Sequence, residues 1–251
     1  MGITRFSLAA LAAAALIYST ATSAATSDRP PTLVELYTSQ GCSSCPPADA
    51  YAAELAKRDD VVVLTLHVDY WDYIGWKDRF ASKATTDRQY RYVPSLGRGM
   101  VYTPQMVIDG VFDAVGSDKR AVARAIAKAQ AAKRPRLDIG LSQADDGGLL
   151  VSVPGADFQG RATVWLARYD RRTETSVANG ENAGRVLSTV NVVRDLRRVG
   201  SWDGRPLDLR LPESVLTSGE GGRDACVIIV QANGNGPVLG VRALMLDASA
   251  F

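Results

Sequence analysis

The sequence predicts an α/β domain followed by an all-β, antiparallel, sandwich-like domain. The first half carries a strand–helix–strand pattern: the β-branched run 32–38, an Ala-rich helical stretch at 48–58 and the apolar run 61–68. Beyond Pro135, short runs of strand-forming residues alternate with Gly, Asn and Asp turn signals. We therefore divide the chain into a signal peptide at 1–25, an α/β domain at 30–135 and a β-sandwich-like domain at 136–251.

The first 25 residues have the pattern of a secretory signal peptide. Arg5 supplies a basic start, 6–17 is an apolar run too short to span a bilayer, and 21–25 offers small residues for cleavage. An uncleaved membrane anchor is the alternative. We expect a periplasmic or secreted mature protein that has no membrane contact after cleavage.

The charge balance indicates no nucleic-acid partner. Lys and Arg together number 29 and Asp and Glu 27, so the net charge is +2. A nucleic-acid site needs a basic face, and the sequence has no Lys/Arg-rich block with interleaved aromatic residues. The short basic cluster at 194–198 fits a solvated strand face.

The motif Cys42-Ser43-Ser44-Cys45 lies where the first strand gives way to the first helix. The N-terminus of a helix carries roughly half a positive charge and unpaired N–H groups, which stabilise a thiolate. Cys42 is therefore the candidate nucleophile, and Cys45, about one turn further on, is placed to resolve a mixed disulfide. We expect the regular helix to begin at Pro46, which leaves Cys42 slightly ahead of it.

A third cysteine, Cys226, makes the count odd for an exported chain. It opens the apolar run 226–230, which predicts a buried strand and an inert thiol. A redox partnership with Cys42 is the alternative.

The loop after the second strand, 69–78, carries four aromatic residues and three carboxylates. Binding residues of parallel sheets gather past the carboxyl ends of strands, where this loop and the cysteine turn both lie. Trp71 and Trp76 are therefore candidates for a substrate-binding wall, or else they pin the loop in a second hydrophobic cluster. His67, the single histidine of the sequence, is a candidate base, a third metal ligand beside the cysteines, or a buried core residue with a backbone partner.

The run Tyr102-Thr103-Pro104 precedes a short strand. Paired with the upstream cysteines, it leads us to expect a cis Thr103–Pro104 bond and a surface on which an extended client segment binds to Tyr102, Thr103 and Pro104. Asp109-Gly110 predicts a two-residue hairpin, and a helix with apolar spacing follows up to Pro135.

This arrangement resembles the thioredoxin fold, on the strength of Cys42, Cys45, Pro104 and the Asp109-Gly110 turn. The longer pattern of 67–78, Arg88-Gln89 and 102–105 is similar to that of secreted thioredoxin-like bacterial proteins grouped as domain-of-unknown-function family 1223. The resemblance runs from about residue 32 to the C-terminus and implies a fold and a location. Ordinary thioredoxins carry Gly-Pro between the cysteines, whereas this chain carries Ser-Ser, so the direction of electron flow is not inherited.

Two functions follow from these residues. The first is an exported thiol–disulfide oxidoreductase that uses Cys42 and Cys45 without a cofactor and has client proteins and a redox partner protein as its partners. The second is a periplasmic copper-binding or copper-delivery protein in which Cys42, Cys45 and His67 form a three-ligand set suited to Cu(I).

The second half is expected to shape the client-binding cleft or to be purely structural. Its predicted strands lie at 137–141, 149–153, 162–169, 186–199, 207–211, 225–231 and 238–246. Glu181, Asn182 and Trp202 are the candidate cleft residues.

Overall fold

The structure, a computed structural model, describes residues 1–2, 29–222 and 224–246. Nearly all of the predicted signal peptide lies outside these residues. Within them, no helix has the length and apolar character that a membrane span requires.

The described residues form α-helices and strands in an α/β arrangement. The helices are α1 (Pro46–Leu55), α2 (Lys83–Ser95), α3 (Lys119–Ala131) and α4 (Ser214–Thr217). The strands are β1 (Thr32–Thr38), β2 (Val61–His67), β3 (Gln105–Ile108), β4 (Phe112–Val115), β5 (Gly140–Gln143), β6 (Leu149–Val153), β7 (Ala162–Ser176), β8 (Val186–Trp202), β9 (Leu207–Leu211), β10 (Ala225–Ala232) and β11 (Val238–Met245).

The first strands form the predicted β–α–β unit. Strands β1 and β2 are parallel, with Thr32 opposite Val61 and Thr38 opposite His67. Every residue of β1 is buried, as expected for a strand covered on both faces. Strand β3 pairs with β1 and β4 with β3, both antiparallel. Helices α1 and α3 contribute apolar residues to one core cluster, and α2 contributes Tyr92 to another.

The hairpin between β3 and β4 is one residue longer than predicted. Ile108 pairs with Phe112, so the connection contains Asp109, Gly110 and Val111. Asp109 and Gly110 both adopt positive φ, at 48° and 70°. A side chain at Gly110 would collide with the carbonyl oxygen of a glycine in the connection between β10 and β11. Close approach to the second half of the chain therefore requires glycine here as much as the turn does.

The second half of the chain extends the same sheet. The strand order is β11-β10-β7-β8-β2-β1-β3-β4, and most pairs are antiparallel. The join is the parallel pairing of Thr65 in β2 with Val192 in β8. Thr65 Oγ1 also donates to the Val190 carbonyl over 2.7 Å, and Asn191 Nδ2 donates to the Val63 carbonyl over 2.9 Å. Side-chain hydrogen bonds thus supplement a short backbone ladder at this join.

All seven strands expected in the second half are present, but they divide between two sheets. Strands β5, β6 and β9 form a separate three-stranded sheet. It packs on β7, β10 and β11 through a core cluster that includes Val151, Leu166, Ile228 and Trp202. The packing is sandwich-like, yet four of the seven strands belong to the eight-stranded sheet that continues into residues 32–115.

Candidate functional site

Cys42 and Cys45 form a disulfide at the N-terminal end of α1, with their Cα atoms 5.4 Å apart. The helix begins at Pro46 as expected, and Cys45 is its N-cap residue. The carbonyl of Cys45 accepts the N–H of Ala48 over 2.8 Å, which closes the first turn. Both cysteines are buried, with 1% and 0% of their surface exposed. The end of β1 and the start of α1 together place the disulfide at the carboxyl edge of β1.

Thr103 lies directly against this disulfide. The Thr103–Pro104 peptide bond is cis, as expected from the sequence. Thr103 Oγ1 donates to Cys42 Sγ over 3.4 Å, and the hydroxyl of Ser44 lies 3.3 Å from the same sulfur. Trp71 Nε1 in turn donates to Thr103 Oγ1 over 2.7 Å. Two of the predicted client-binding residues, Trp71 and Thr103, are therefore linked to each other and to Cys42.

Two further predicted client-binding side chains, Tyr102 and Trp76, have different partners. The hydroxyl of Tyr102 donates to Asp113 over 2.8 Å, on the β3–β4 hairpin. Burial and the Asp113 carboxylate raise the pKa of Tyr102 well above its ordinary value. Trp76 Nε1 donates to the side-chain oxygen of Gln40 over 2.9 Å. Trp76 therefore stabilises the turn that precedes the cysteines. Tyr102 links the segment that carries Pro104 to the β3–β4 hairpin.

His67 is a buried residue held by a carboxylate. Its Nδ1 lies 2.6 Å from Asp78 Oδ2, and both side chains are at most 1% exposed. Asp78 Oδ2 also accepts the backbone N–H of Gln40 over 2.8 Å. Burial would raise the pKa of Asp78, but His67 and the N–H groups of Gln40 and Phe80 outweigh it and hold that pKa below its ordinary value. His67 is therefore buried, as the core alternative expected, but its ring is held by a side chain and not by the backbone. Its roles as a base or a metal ligand stay predictions.

Asp49, a residue that the sequence analysis missed, lies buried just after the disulfide. It is four residues beyond Cys45 on α1, so the two share one helix face with the buried Ala52. Burial raises the pKa of Asp49 to about 6, although nearby His67 acts in the opposite direction. Within residues 1–2, 29–222 and 224–246, neither Asp49 Oδ1 nor His67 Nε2 has a hydrogen-bond partner, although both atoms are buried. A carboxyl on an otherwise apolar helix face is the signal that identifies this position.

A loop from the second half of the chain closes over the turn that carries the disulfide. This loop, residues 177–185, connects β7 to β8. Asn182 Nδ2 donates to the carbonyl oxygens of Gln40 and Cys42 over 2.9 and 3.0 Å, and Asn182 is fully buried. The carboxylate of Glu181 accepts the Ser43 N–H over 3.1 Å. Both residues were cleft candidates, and both contact the cysteine motif.

Trp202, the third cleft candidate, lies elsewhere. It is 2% exposed, belongs to the core between the two sheets, and stacks on Phe158 with ring centroids 5.4 Å apart. Its position at the end of β8 faces that core, so it packs and does not line the disulfide site.

No three His, Cys, Asp or Glu side chains come together in a metal-binding arrangement within the part of the chain that the structure describes. The set of Cys42, Cys45 and His67 therefore stays a prediction from the sequence.

The chain is similar to two solved structures. The X-ray structure of a protein from Agrobacterium tumefaciens, determined by a structural genomics consortium, shares 32% sequence identity and a TM-score of 0.77, covering 88% of this chain and 96% of that one. HBP35 of Porphyromonas gingivalis shares 12% identity and a TM-score of 0.58, covering 88% of this chain and 76% of that one, which shows a common fold alone. No curated protein matches the chain.

A family model with the description "Protein of unknown function (DUF1223)" matches residues 33–231. This range contains the cysteine motif, the aromatic loop, the cis Thr103–Pro104 bond and the loop that carries Asn182. The expected similarity to domain-of-unknown-function family 1223 is therefore confirmed over residues 33–231, and the chain belongs to the DUF1223 family.

Proposed function

We propose that this protein is an exported thiol–disulfide oxidoreductase whose Cys42–Cys45 pair cycles between a disulfide and a dithiol. The observation that carries the proposal is the contact of Thr103 Oγ1 with Cys42 Sγ, beside Pro104 and opposite the start of α1. A hydroxyl donor and a helix N-terminus both favour a negatively charged sulfur, which is the reactive form of a cysteine.

We also infer that residues 30–135 form a thioredoxin-like unit. The neighbouring order β2-β1-β3-β4, with α1 directly after β1 and α3 after β4, supports this inference. The disulfide in the connection between β1 and α1 supports it as well.

The proposed chemistry needs two thiolates and one client disulfide. In the reduced protein, the Cys42 thiolate attacks a client disulfide, forms a Cys42–client bond and releases one client thiolate. The Cys45 thiolate then attacks Cys42 Sγ, closes the Cys42–Cys45 disulfide and releases the second client thiolate. Two electrons pass to the client, and the reverse sequence oxidises a client dithiol. A redox partner protein with its own dithiol or disulfide restores the starting state, so the cycle requires no cofactor.

Export fits this chemistry. A signal peptide would send the mature chain to the periplasm or beyond, where disulfides form and persist. The client would then be another exported protein with accessible cysteines.

The test measures both directions of exchange. Reduced protein should accelerate the reduction of insulin disulfides, or the disulfide form should oxidise a reduced client. Cys42→Ser should abolish either activity, and Cys45→Ser should accumulate a mixed disulfide that is visible by mass spectrometry. Cys226→Ser is the matched control, because Cys226 is a free, buried thiol on β10. Inactivity of the wild type in both directions, or full activity of Cys42→Ser, would refute the proposal.

The reduction potential of the pair assigns the direction. A value near ~−120 mV would indicate an oxidant, and one near ~−270 mV would indicate a reductant.

A further inference from the structure

We propose that the loop at 177–185 is a lid over the Cys42–Cys45 disulfide and that Asn182 is its latch. The lid would control which thiols and disulfides reach Cys42, so this inference rests on the proposed function. Its starting observation is independent of that function: a side chain from the β7–β8 connection is fully buried against the backbone of the cysteine motif.

The latch consists of polar contacts across a long sequence separation. The amide nitrogen of Asn182 bridges the carbonyls of Gln40 and Cys42, which lie 142 and 140 positions earlier in the chain. Glu181 adds an acceptor for the Ser43 N–H. This contact is exposed, and hydrogen bonding with the Ser43 hydroxyl and N–H lowers the pKa of Glu181. The residues on either side of Asn182, Glu181 and Ala183, are exposed. Asn182 and Val177 are thus the buried residues of a loop whose other residues are exposed.

We expect the loop at 177–185 to move as one rigid unit. The Gly184 N–H donates to the Val177 carbonyl over 2.8 Å, and the Val177 N–H donates to the Arg185 carbonyl over 2.9 Å. These bonds close the loop on itself at the end of the β7–β8 ladder, so they survive when Asn182 leaves its pocket. On the other side, Gly180 lies against Trp76 and the Ile74 carbonyl, where a Cβ atom would come within 3.2 and 3.3 Å. A side chain at position 180 would displace these neighbouring atoms, so only glycine fits there without a shift.

Access to the sulfur requires some element to move. A thiolate attacks along the line of the S–S bond, and Cys42 is 1% exposed while Cys45 is 0% exposed. Thr103 is held by Trp71 and adjoins β3 in the sheet, so it is firmly placed. Loop 177–185 has few buried residues and a polar attachment, which are the features of a segment that opens at low free energy. The loop is thus the element that we expect to lift when a client binds.

The experiment measures how fast the disulfide of the oxidised protein is opened by dithiothreitol. Asn182→Asp keeps the shape of the side chain but replaces the N–H donor with a carboxylate that faces two carbonyl oxygens. Loss of two hydrogen bonds should raise the open population, and with it the rate constant, by about 5- to 30-fold. Asn179→Ala is the matched control, because Asn179 is an exposed asparagine of the same loop, and its rate should stay within about twofold of the wild type.

Glu181→Ala provides a second variant that leaves the buried side chains intact. Removal of the Ser43 acceptor should raise the rate by a smaller factor, about two- to fivefold. Unchanged melting temperatures would confirm that the variants are folded. Wild-type rates for both Asn182→Asp and Glu181→Ala would overturn the lid. Because dithiothreitol needs no client, a faster rate in Asn182→Asp together with no insulin activity in the wild type would keep the lid and reject the oxidoreductase.

Discussion

Thr103 Oγ1 donates a hydrogen bond to Cys42 Sγ over 3.4 Å, although the two residues are 61 positions apart in the chain. The threonine is oriented by Trp71, whose indole N–H it accepts over 2.7 Å. Trp71, in the aromatic loop, thus orients the Thr103 hydroxyl toward Cys42. In the reduced protein the same hydroxyl would face a thiolate, to which hydrogen bonds are stronger than to a neutral sulfur.

Thr103→Val should therefore raise the pKa of the Cys42 thiol. A hydrogen bond to a charged group contributes about 1.5–3 kcal/mol, so its loss corresponds to a pKa increase of at least about 1 unit. A less stable thiolate disfavours the reduced form, and the reduction potential should become more negative by about 30 mV per tenfold change. The pH dependence of iodoacetamide alkylation measures the pKa, and equilibration with glutathione measures the potential. Thr103→Ser, which keeps the hydroxyl, is the control, and an unchanged alkylation profile in Thr103→Val would contradict the prediction.

Cys226 should not react in the folded protein. It is fully buried in β10, and burial raises the pKa of its thiol to about 12. A thiol reagent should therefore leave Cys226 unlabelled in the reduced, native protein and label it only on denaturation. The buried, inert thiol expected from the apolar run is confirmed as to its location. Rapid labelling of Cys226 in the native protein would show that the strand opens.

Asp49→Asn should stabilise the protein at neutral pH. Burial raises the pKa of Asp49 from 3.8 to about 6, so the folded state binds the proton more tightly than the unfolded state. The protonated carboxyl of Asp49 stabilises the folded state fully below pH 3.8, and this stabilisation is lost as the pH rises through about 6. At pH 7 this penalty is about 3 kcal/mol, from about 2 pKa units at 1.36 kcal/mol each.

The measurement is the free energy of unfolding in denaturant from pH 4 to pH 7. The difference in the free energy of unfolding between Asp49→Asn and the wild type isolates the contribution of Asp49. The comparison is needed because Asp78, whose pKa is lowered, contributes in the opposite sense. Its stabilisation of the folded state is present above the unfolded pKa and is lost as the pH falls. A difference that stays constant over the range would show that Asp49 does not titrate there.

Arg88→Leu should destabilise the fold strongly. Arg88 Nε lies 2.6 Å from Glu35 Oε1, and both side chains are at most 1% exposed. Arg88 also donates to the Gln231 side chain over 3.0 Å, which ties α2 and β1 to β10 in the second half of the chain. Loss of one partner leaves the Glu35 charge buried and unpaired, at a cost of about 3–5 kcal/mol.

The control for this variant lies on the same helix. Lys83 pairs with Asp87 at the surface, so Lys83→Ala should change the free energy of unfolding by less than about 1 kcal/mol. A double variant in which Glu35 and Arg88 are both leucine should recover part of the loss, because no charge then remains buried. Equal effects of Arg88→Leu and Lys83→Ala would contradict the prediction.

Local patterns were sufficient for most elements. The start of α1 at Pro46 and the bounds of β6 at Leu149 and Val153 agree with the sequence-based expectations, because proline geometry and alternating burial act within a few residues. The Asp109-Gly110 turn was located correctly, but its third residue was not, since a sheet register depends on the partner strand as well as on the turn.

Only some residues of the candidate site could be predicted from the sequence. Cys42, Thr103 and Trp71 carry chemistry that is visible in their residue types. Gln40 and Asp78 gave no such signal, because a glutamine after a strand and an aspartate in a loop are ordinary until His67 and Asn182 are seen against them.

Sequence patterns were enough to place the cysteine pair at a strand–helix junction, to recognise the family pattern and to locate the seven strands of the second half, because these depend on short-range periodicity and motif spacing. Only the folded chain shows that β8 joins β2 and that residues 177–185 contact the backbone of the cysteine turn. Such contacts link residues more than a hundred positions apart, and no local propensity specifies them. They form because β7 and β8 are long enough, at 15 and 17 residues, to carry their connecting loop past the sheet to the cysteine turn.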